Sequence, residues 1–373
     1  MKKNLSILIY SLGSGGAERV VSLLLEFLKE YFNVTLVLMN NTIHYEVPKN
    51  IQVFYLEESS IYESGILKLL KIPFLAYRYR KLCTQYNIDT SLSFMNRPNY
   101  INVIAKLLGN KCHTIISERA MPSLQYGYNN FQSKINKILI KSLYPEADKI
   151  IANSYGNAED LERNFSIQKS LLHVIQNPID LTMIQQNALE PINFNFNPYT
   201  YITIGRLDEG KNHAMLIHAF AKLANKSTQL LIIGDGLLKE PLQKQIDSLN
   251  LQNRVFLLGK KTNPYKYLQR SDCFVFGSNH EGFPNVVLEA LATNLPVIST
   301  NCPSGPQEIL APTNKNEYGI LTPVNNSNEM YQAMQLLLTD NNKANYYKNQ
   351  ARIRAKDFDK TEILQHYLKV INE

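Results

Sequence analysis

Two glutamates eight residues apart stand in the apolar stretch "EGFPNVVLEALATNLPVIST", which begins at Glu281. Gly282 and Pro284 predict a turn, so Glu281 lies in a loop and Glu289 lies about two turns into the helix that follows. A fully helical span of this length is about 12 Å, so the acids can meet opposite ends of one extended ligand. A carboxylate can accept from both hydroxyls of a ribose, which is one role open to Glu289. The alternative, a solvated helix residue, fits poorly because the flanking residues are apolar and a buried acid needs a partner.

An arginine and a lysine flank a second turn, in "IGRLDEGKNHAML". Arg206 and Lys211 follow one predicted strand and precede a predicted helix. A guanidinium fork and an ammonium charge can together hold a diphosphate. The alternative is a pair of solvated cations, and the position at the carboxyl end of a strand favours the binding role.

A glycine-rich turn follows the first predicted strand, in "YSLGSGGAERVV". Gly13, Gly15 and Gly16 allow the backbone to approach a ligand closely, and the helix N-terminus that follows suits an anion. No third glycine follows at the spacing of a dinucleotide fingerprint, since Glu18 and Arg19 stand there, so that motif is excluded. A tight turn without a ligand is the alternative interpretation.

Cations interrupt an apolar run from Ile66 to Leu82, "ILKLLKIPFLAYRYRKL". This composition suits a helix in a membrane interface, and Pro73 predicts a kink or two pieces. A surface helix whose apolar side faces the core is an equal alternative from these residues alone. The cations are Lys68, Lys71, Arg78, Arg80 and Lys81.

These segments sit in an alternation of short apolar runs and amphipathic stretches, which predicts α/β structure with parallel sheets covered by helices. The alternation starts twice, so two doubly wound domains are expected, over residues 1–182 and 198–357. The Asn- and Pro-rich stretch between them has no clear periodicity. A last helix, about 358–373, can pack on either domain. Ligands of such sheets bind beyond the carboxyl ends of the strands, so a cleft between the domains is the expected site.

Composition excludes several classes of protein. The chain has 373 residues, 45% of them hydrophobic, a net charge of +7, no Trp and no run of 18 apolar residues. We therefore expect no spanning helix, no nucleic-acid partner and a cytoplasmic location. The four cysteines form no CxxC, and the one Asp-x-Asp, Asp357-Phe358-Asp359, does not follow a predicted strand. We interpret it as structural and expect no metal.

The motifs "GGAERV", "GRLDEGKN" and "EGFPNVVLE", in this order, resemble the family-4 retaining glycosyltransferases of GT-B fold. The stretches "IYSLGSGGAERVV", "VLMNNTIHYEVP", "NRPNYI", "LYPEADKI" and "NPYKYL" more closely resemble the PglJ-type N-acetylgalactosaminyltransferases of bacterial N-linked protein glycosylation. The resemblance covers essentially the whole chain. It implies UDP-GalNAc as donor, an undecaprenyl-diphosphate-linked glycan as acceptor, and peripheral association with the inner face of the cell membrane.

The resemblance also implies roles for residues. Arg206, Lys211 and Glu281 become the catalytic candidates: the cations hold the donor diphosphate and the departing UDP, and Glu281 contacts the transferred sugar. Glu289 would bind the ribose. The other donor contacts implied are Gly15, Gly16, Pro264 near the uracil, Gly282, Phe283, Pro284, Asn285 and Val286.

Two residues of "ISERAMP" need separate treatment. Arg119 differs from the family's residue at its position, and Glu118 is a possible further contact of the sugar. Many relatives have a His where this chain has Arg119, so a catalytic His is not expected here. Glu118 is either a polar contact of the sugar or a buried structural residue. The implied reaction retains the anomeric configuration without a covalent nucleophile, and cations stabilise the charge that develops on the leaving diphosphate.

Three alternatives remain at the level of the sequence. A transferase of the same fold could use another UDP-sugar in lipopolysaccharide or capsule assembly, because no motif selects the configuration at C4. A non-catalytic sugar-nucleotide-binding protein is disfavoured by the intact Arg206, Lys211, Glu281 and Glu289. A nucleotide-sugar epimerase would need an acid and base pair facing the sugar, which is not apparent.

Overall fold

The N-terminal part of the chain is built on a seven-stranded parallel sheet. The computed structural model describes residues 2–58, 63–315 and 317–373. The strands are β1 (Asn4–Ile9), β2 (Asn33–Leu38), β3 (Gln52–Tyr55), β4 (Thr90–Phe94), β5 (His113–Glu118), β6 (Lys149–Ala152) and β7 (Leu172–Val174). Their order is β3-β2-β1-β4-β5-β6-β7. The central strands are buried on both faces, which explains why β1 and β2 are mainly apolar, whereas β4 alternates apolar residues with the buried Ser91 and Ser93.

The C-terminal part has a six-stranded parallel sheet of the same design. Its strands are β8 (Tyr199–Ile204), β9 (Thr228–Ile233), β10 (Val255–Gly259), β11 (Cys273–Phe276), β12 (Val297–Thr300) and β13 (Ile320–Thr322). Their order is β10-β9-β8-β11-β12-β13. In both sheets the strand order reverses beside the first strand, at β1 and at β8. Such switch points are where doubly wound sheets place ligands.

Helices cover both faces of each sheet, and buried apolar side chains form a cluster on each face. The N-terminal helices are α1 (Gly16–Leu28), α2 (Gly65–Leu70), α3 (Ile72–Gln85), α4 (Asn96–Leu107), α5 (Pro122–Gln125), α6 (Phe131–Leu143) and α7 (Tyr155–Phe165). The later helices are α8 (Leu181–Ala188), α9 (His213–Ala221), α10 (Lys239–Ser248), α11 (Tyr265–Leu268), α12 (Asn285–Ala292), α13 (Pro306–Leu310), α14 (Ser327–Thr339), α15 (Asn341–Lys356) and α16 (Lys360–Asn372).

The chain divides into two units, and the last helix belongs to the first of them. One unit is Met1–Pro178 with Thr361–Glu373, and the other is Ile179–Lys360. Tyr367 of α16 is fully buried in the N-terminal core. Lys149 donates to the carbonyl of Val370 over 3.0 Å. The end of the chain therefore completes the N-terminal unit.

The division between the units falls after Pro178, inside the Asn- and Pro-rich stretch that begins at Asn177 and close to the boundary expected at residue 182. Regular structure resumes at α8, where Asp180 caps the helix by accepting from the N–H of Met183 over 3.0 Å. Ile184 and Ala188 of α8 are buried in the C-terminal core. Ile179 donates its N–H to the carbonyl of Phe358 over 2.9 Å. These contacts assign α8 to the C-terminal unit, although its few apolar residues gave no clear period.

The basic segment forms two helices, which is one of the two outcomes that Pro73 predicted. α2 ends before Lys71, and Pro73 occupies the first turn of α3, where its missing N–H costs nothing. The Asp-x-Asp near the C-terminus is structural in this fold. Phe358 is buried, and Asp357 accepts from Arg354 over 2.7 Å.

Gly234 offers a test of how tightly the loops after β8 and β9 are packed. A Cβ atom there would lie 1.8 Å from the carbonyl oxygen of Gly205, and φ is +154°. Gly259 also has a positive φ, +68°, but a Cβ there would meet nothing within 4 Å. Gly259→Ala should therefore cost about 1 kcal/mol from backbone strain alone. Gly234→Ala should cost more than about 3 kcal/mol, because backbone atoms must move.

Thermal unfolding of the two variants and the parent protein checks this difference. The Tm of Gly234→Ala should fall at least twice as far as that of Gly259→Ala. Equal falls in Tm would mean that the loops after β8 and β9 can move apart without a cost in free energy.

Candidate functional site

The two loops that carry the predicted catalytic residues meet at the switch point of the C-terminal sheet. β11 pairs with β8, so the loops that follow these strands leave the same edge side by side. Lys211, at the end of the first loop, forms an ion pair with Glu281 of the second. Ser278 donates to the same Oε1 atom of Glu281 over 2.6 Å. The structure thus brings an ammonium and a carboxylate together at the edge where ligands of such sheets bind.

Arg206 reaches outward from the same loop. Its side chain is 82% exposed, and Nε lies 3.2 Å from Oδ2 of Asp208. Oδ1 of Asp208 accepts from the N–H of Lys211 over 3.0 Å. Asp208 therefore fixes the turn between the two cations, with Lys211 held inside and Arg206 projecting into solvent.

His213 supports the loop that carries Arg206 and Lys211. This histidine was not predicted from the sequence to be a functional residue. It is 2% exposed, and Nε2 lies 3.2 Å from the carbonyl oxygen of Arg206. A carbonyl only accepts, so Nε2 carries a proton, and burial keeps the other ring nitrogen, Nδ1, unprotonated near pH 7. Burial lowers the pKa of His213 to about 4. The sequence does contain an indication of this supporting role. A histidine stands at the first position of an apolar helix, directly after the turn that contains Lys211.

A loop after β12 supports the turn that follows Glu281, and it too was not recognised. Ser304 donates to the carbonyl of Gly282 over 2.7 Å. Gly305 has φ +78°, and a Cβ there would lie 2.6 Å from Cδ of Pro284. Gly282, Phe283 and Pro284 are buried, so this turn is backed by protein on its inner side. The fixed turn sets the start of α12.

Glu289 has the partner that its apolar surroundings required. Tyr265 donates its hydroxyl to Oε1 of Glu289 over 3.4 Å, and Pro264 directly precedes α11, which carries this tyrosine. Asn285 and Val286 stand half-buried in the first turn of α12. Glu281 and Glu289 thus contact different partners at different places on the C-terminal unit.

Cys302 lies near this constellation without being a nucleophile. It is buried, and burial together with the charge of Glu281 raises the pKa of its thiol to about 12. Within the described ranges, no group of three or more His, Cys, Asp and Glu side chains is arranged to hold a metal ion.

In the N-terminal unit, the predicted glycines stand at the start of α1. Gly15 is its N-cap residue and Gly16 its first residue. A Cβ on Gly15 would lie 2.2 Å from Oε2 of Glu18, so that side chain lies over the turn. The turn follows β1, at the switch point of its own sheet.

Glu118 has the buried structural role. It is 1% exposed at the end of β5, and burial raises the pKa of its carboxyl. Oε2 accepts from Tyr144 over 2.6 Å and from Asn96 over 2.9 Å. Oε1 accepts from the backbone N–H groups of Arg119 and Ala120 over 2.9 and 3.2 Å. With four donors on two oxygens, Glu118 shapes the loop after β5 and offers no free oxygen to a sugar.

Arg119 is half-buried and directed at the protein. One of its NH groups donates to the hydroxyl of Tyr367 over 3.0 Å, and the other donates to Asn177. Its guanidinium lies 5.8 Å from the ring centroid of Phe94. Arg119 thus anchors α16 and the end of the first chain segment to the N-terminal sheet.

The predicted membrane cations are spread over α2 and α3. Lys68 lies 5.5 Å from the ring centroid of Tyr10, and Lys71 pairs with Glu63. Arg78 and Lys81 are exposed, with their charged groups over exposed aromatic rings one turn away. The fifth, Arg80, is half-buried. Each helix that the structure describes is too short or too polar to span a bilayer.

The neutral His213 predicts an acid-sensitive C-terminal unit. In the unfolded chain a histidine binds a proton below about pH 6.5, whereas the folded site resists protonation until about pH 4. Acid therefore favours the unfolded state, and stability present above pH 6.5 is lost as the pH falls towards 4. The loss amounts to about 3 kcal/mol.

Denaturant unfolding at pH 7.5 and pH 4.5 measures this effect. His213→Gln keeps an N–H donor for the carbonyl of Arg206 but has no proton to gain. We expect the parent protein to lose about 2 to 3 kcal/mol more than His213→Gln between these pH values. His218→Gln, on the outer side of the same helix, is the matched control and should behave like the parent. An equal acid loss in all three proteins would contradict the buried neutral ring.

Comparison with known proteins agrees with this geometry. The sequence model of glycosyltransferase family 4 matches residues 14–183, and that of glycosyl transferases group 1 matches residues 185–354. A Campylobacter jejuni protein is 47% identical over 369 residues, 99% of each chain. It is the N-acetylgalactosamine-N,N'-diacetylbacillosaminyl-diphospho-undecaprenol 4-alpha-N-acetylgalactosaminyltransferase.

Solved structures share the fold. Sucrose-phosphate synthase from Thermosynechococcus elongatus superposes with a TM-score of 0.84 at 18% identity, over 99% of this chain and 98% of that one. Anabaena HepE, solved in complex with UDP and glucose, gives 0.80 at 20% identity over all of both chains. The expected GT-B architecture is confirmed, and the chain belongs to the family-4 glycosyltransferases.

Proposed function

We propose that this glycosyltransferase transfers GalNAc from UDP-GalNAc to an undecaprenyl-diphosphate-linked glycan, with retention, in protein N-glycosylation. The observation that carries the proposal is the 47% identity to the Campylobacter enzyme over 99% of both chains. Similarity at that level extends through both units, so it includes the acceptor side as well as the donor side. The solved relative with UDP and glucose supports a nucleotide-sugar donor.

The C-terminal loops supply the groups that such a donor needs. In the proposed complex, Lys211 and Arg206 bind the diphosphate, and Glu289 binds the ribose. Lys211 is held by Glu281, and in the proposed complex this pair would keep the ammonium beside the diphosphate, as electrostatic preorganisation requires. Arg206 is exposed and can close over the outer phosphate oxygens. Glu281 can exchange its bond with Ser278 for a hydroxyl of the sugar.

The reaction then needs little covalent help from the protein. The bond between C1 and the phosphate oxygen breaks while the acceptor hydroxyl bonds to C1 on the same face, and the hydroxyl proton passes to the departing phosphate. The two cations stabilise the UDP that leaves, and positioning of the acceptor supplies much of the remaining rate. Because two side-chain cations face the diphosphate in this scheme, we propose that transfer is independent of a metal ion.

The acceptor would come to the enzyme from a membrane. α2 and α3 present exposed Ile66, Leu70, Phe74 and Tyr77 with cations beside them. This combination suits contact with lipid head groups and with a lipid diphosphate. We therefore propose peripheral association with the cytoplasmic face of the cell membrane, with the N-terminal unit on the acceptor side.

Product analysis by mass spectrometry tests the donor, the acceptor and the metal requirement together. Purified protein is incubated with an undecaprenyl-diphosphate disaccharide of GalNAc on a bacillosamine-type sugar and with a panel of UDP-sugars, with and without EDTA. We expect one added N-acetylhexosamine, with UDP-GalNAc only, unchanged by EDTA. Transfer from UDP-GlcNAc or UDP-glucose alone would replace the proposed donor. UDP binding without any transfer would move the protein to another envelope-glycan pathway.

Substitution of Glu281 separates an enzyme from a sugar-nucleotide-binding protein. Glu281→Gln keeps an oxygen for Lys211 and Ser278 but removes the charge. We expect kcat to fall about 10²- to 10³-fold, the usual cost of one electrostatic group at a reacting centre. The affinity for UDP, measured by calorimetry, should change less than about threefold.

Glu209→Gln is the matched control, because this glutamate is exposed in the loop between Arg206 and Lys211. Its turnover should equal that of the parent protein. Unchanged turnover in Glu281→Gln would remove Glu281 from the reacting end of the site. A large loss of UDP affinity in Glu281→Gln would mean that the role of Glu281 is to hold Lys211 in position.

A further inference from the structure

α6 presents an outer face that the analysis of the sequence did not single out. Phe131 is 67% exposed and Ile138 is 63% exposed, and Lys134 and Lys141 stand between and after them on the same side. Tyr128, in the loop before the helix, is exposed as well. The spacing of three and four residues places these side chains in one stripe. Large exposed apolar residues in such a stripe mark an interaction surface.

The opposite face of α6 is occupied by the N-terminal core. Ser133, Asn136, Ile140 and Leu143 are buried there. Tyr100 of α4 donates to Oδ1 of Asn136 over 3.1 Å. The inner face is therefore fully engaged, and Phe131 and Ile138 cannot turn inwards without displacing it.

α6 begins against α2. A Cβ on Gly65 would lie 2.5 Å from the side chain of Gln132, so the first turns of the two helices are in contact. Every residue of α2 is exposed or half-buried, among them the exposed Ile66, Leu67 and Leu70. The outer stripe of α6 and the exposed side of α2 therefore lie next to each other on one unit of the protein.

The segments that contain α2 and α6 carry positively charged side chains and no negatively charged ones. The sequence has no Asp or Glu between residues 64 and 88 or between residues 119 and 145. In the described part of the chain, no carboxylate forms an ion pair with Lys134, Lys137 or Lys141. Apolar side chains with unneutralised lysines beside them complement a surface that is anionic outside and apolar beneath, which is an anionic bilayer.

We propose that residues 124–141 form a second membrane-contacting element, the α6 surface, which acts together with α2 and the start of α3. Phe131, Ile138 and Tyr128 enter the head-group region, and the lysines extend towards lipid phosphates. The inference rests on the proposed function, because a lipid-linked acceptor is what brings the enzyme to a bilayer. Two separate elements give stable attachment where either alone would bind marginally.

Vesicle co-sedimentation tests the α6 surface. The probe is phosphatidylcholine vesicles with and without 30% phosphatidylglycerol. The double variant Phe131→Ser, Ile138→Ser should bind the anionic vesicles about 30- to 100-fold more weakly than the parent, because two apolar side chains no longer enter the bilayer. Ile353→Ser is the matched control, since Ile353 is 55% exposed on α15, and it should bind like the parent.

A second variant examines the charges. Replacing Lys134, Lys137 and Lys141 by Gln should weaken binding to the anionic vesicles about 10- to 100-fold, with much less effect on pure phosphatidylcholine. Both variants should keep the parent Tm, because the substituted side chains are exposed. Binding of the Phe131→Ser, Ile138→Ser variant within twofold of the parent overturns the proposal. Loss of a dimer in that variant, with vesicle binding retained, also overturns it and assigns the stripe to a second copy of the chain.

The same variants separate this proposal from the proposed function. Transfer is measured with the lipid-linked acceptor in anionic vesicles and in detergent micelles. The ratio of kcat/KM in vesicles to that in micelles should fall at least tenfold in Phe131→Ser, Ile138→Ser and stay constant in Ile353→Ser. An unchanged ratio with active transfer refutes the α6 surface alone. No transfer by the parent in either system refutes the proposed reaction, while vesicle binding still decides the α6 surface.

Discussion

Parallel pairing of β11 with β8 is the constraint on which the candidate site of the C-terminal unit depends. Cys273 lies opposite Tyr201 and Phe274 opposite Ile202, so both strands end at one edge. Lys211 and Glu281 are 70 residues apart in the chain, and only the shared edge brings them together. A single unpaired charge in such a largely buried position would destabilise the fold. The ion pair compensates the charge of both residues. The ligand-binding chemistry therefore follows from the order of strands in the sheet.

The residue types of the candidate site can be predicted from the sequence, whereas the partners of these residues cannot. Glycine, proline and charge at the end of an apolar run indicate a candidate ligand-binding loop, which is how Lys211 and Glu281 were selected. Their mutual ion pair, the bond from His213, and the support from Ser304 depend on contacts between distant loops, which local patterns do not contain. The same limit applies to the fold. Long apolar strands were predictable, but the edge strands β7 and β13 have only three residues each, which is too short to show a period.

Buried polar side chains connect α3 with the end of β5 in the N-terminal unit. The hydroxyl of Tyr79 on α3 lies 2.6 Å from Oγ of Ser91 on β4, and Tyr144 donates to Glu118 at the far end. The members between them, joined by hydrogen bonds of 2.7 to 3.2 Å, are Asn102, Ser93 and Asn99. Each group is costly to bury without its neighbour, so the network admits one position of α3 on the sheet. α3 therefore turns Phe74 and Tyr77 outward in a fixed orientation.

α6 shows why the surface of the N-terminal unit was harder to predict than the candidate site of the C-terminal unit. Sequence patterns assign apolar residues to the core and polar residues to solvent, and in α6 part of that assignment is reversed. Ser133 and Asn136 face inward; the amide of Asn136 accepts from Tyr100 and donates to the carbonyl of Gln132, and the backbone N–H of Ser133 donates to the Asn130 cap. Phe131 and Ile138 face outward, where water makes them unfavourable. A helix that satisfies polar groups inside and exposes apolar groups outside is stabilised when a second apolar phase covers it, and a lipid bilayer is the phase that also suits its lysines.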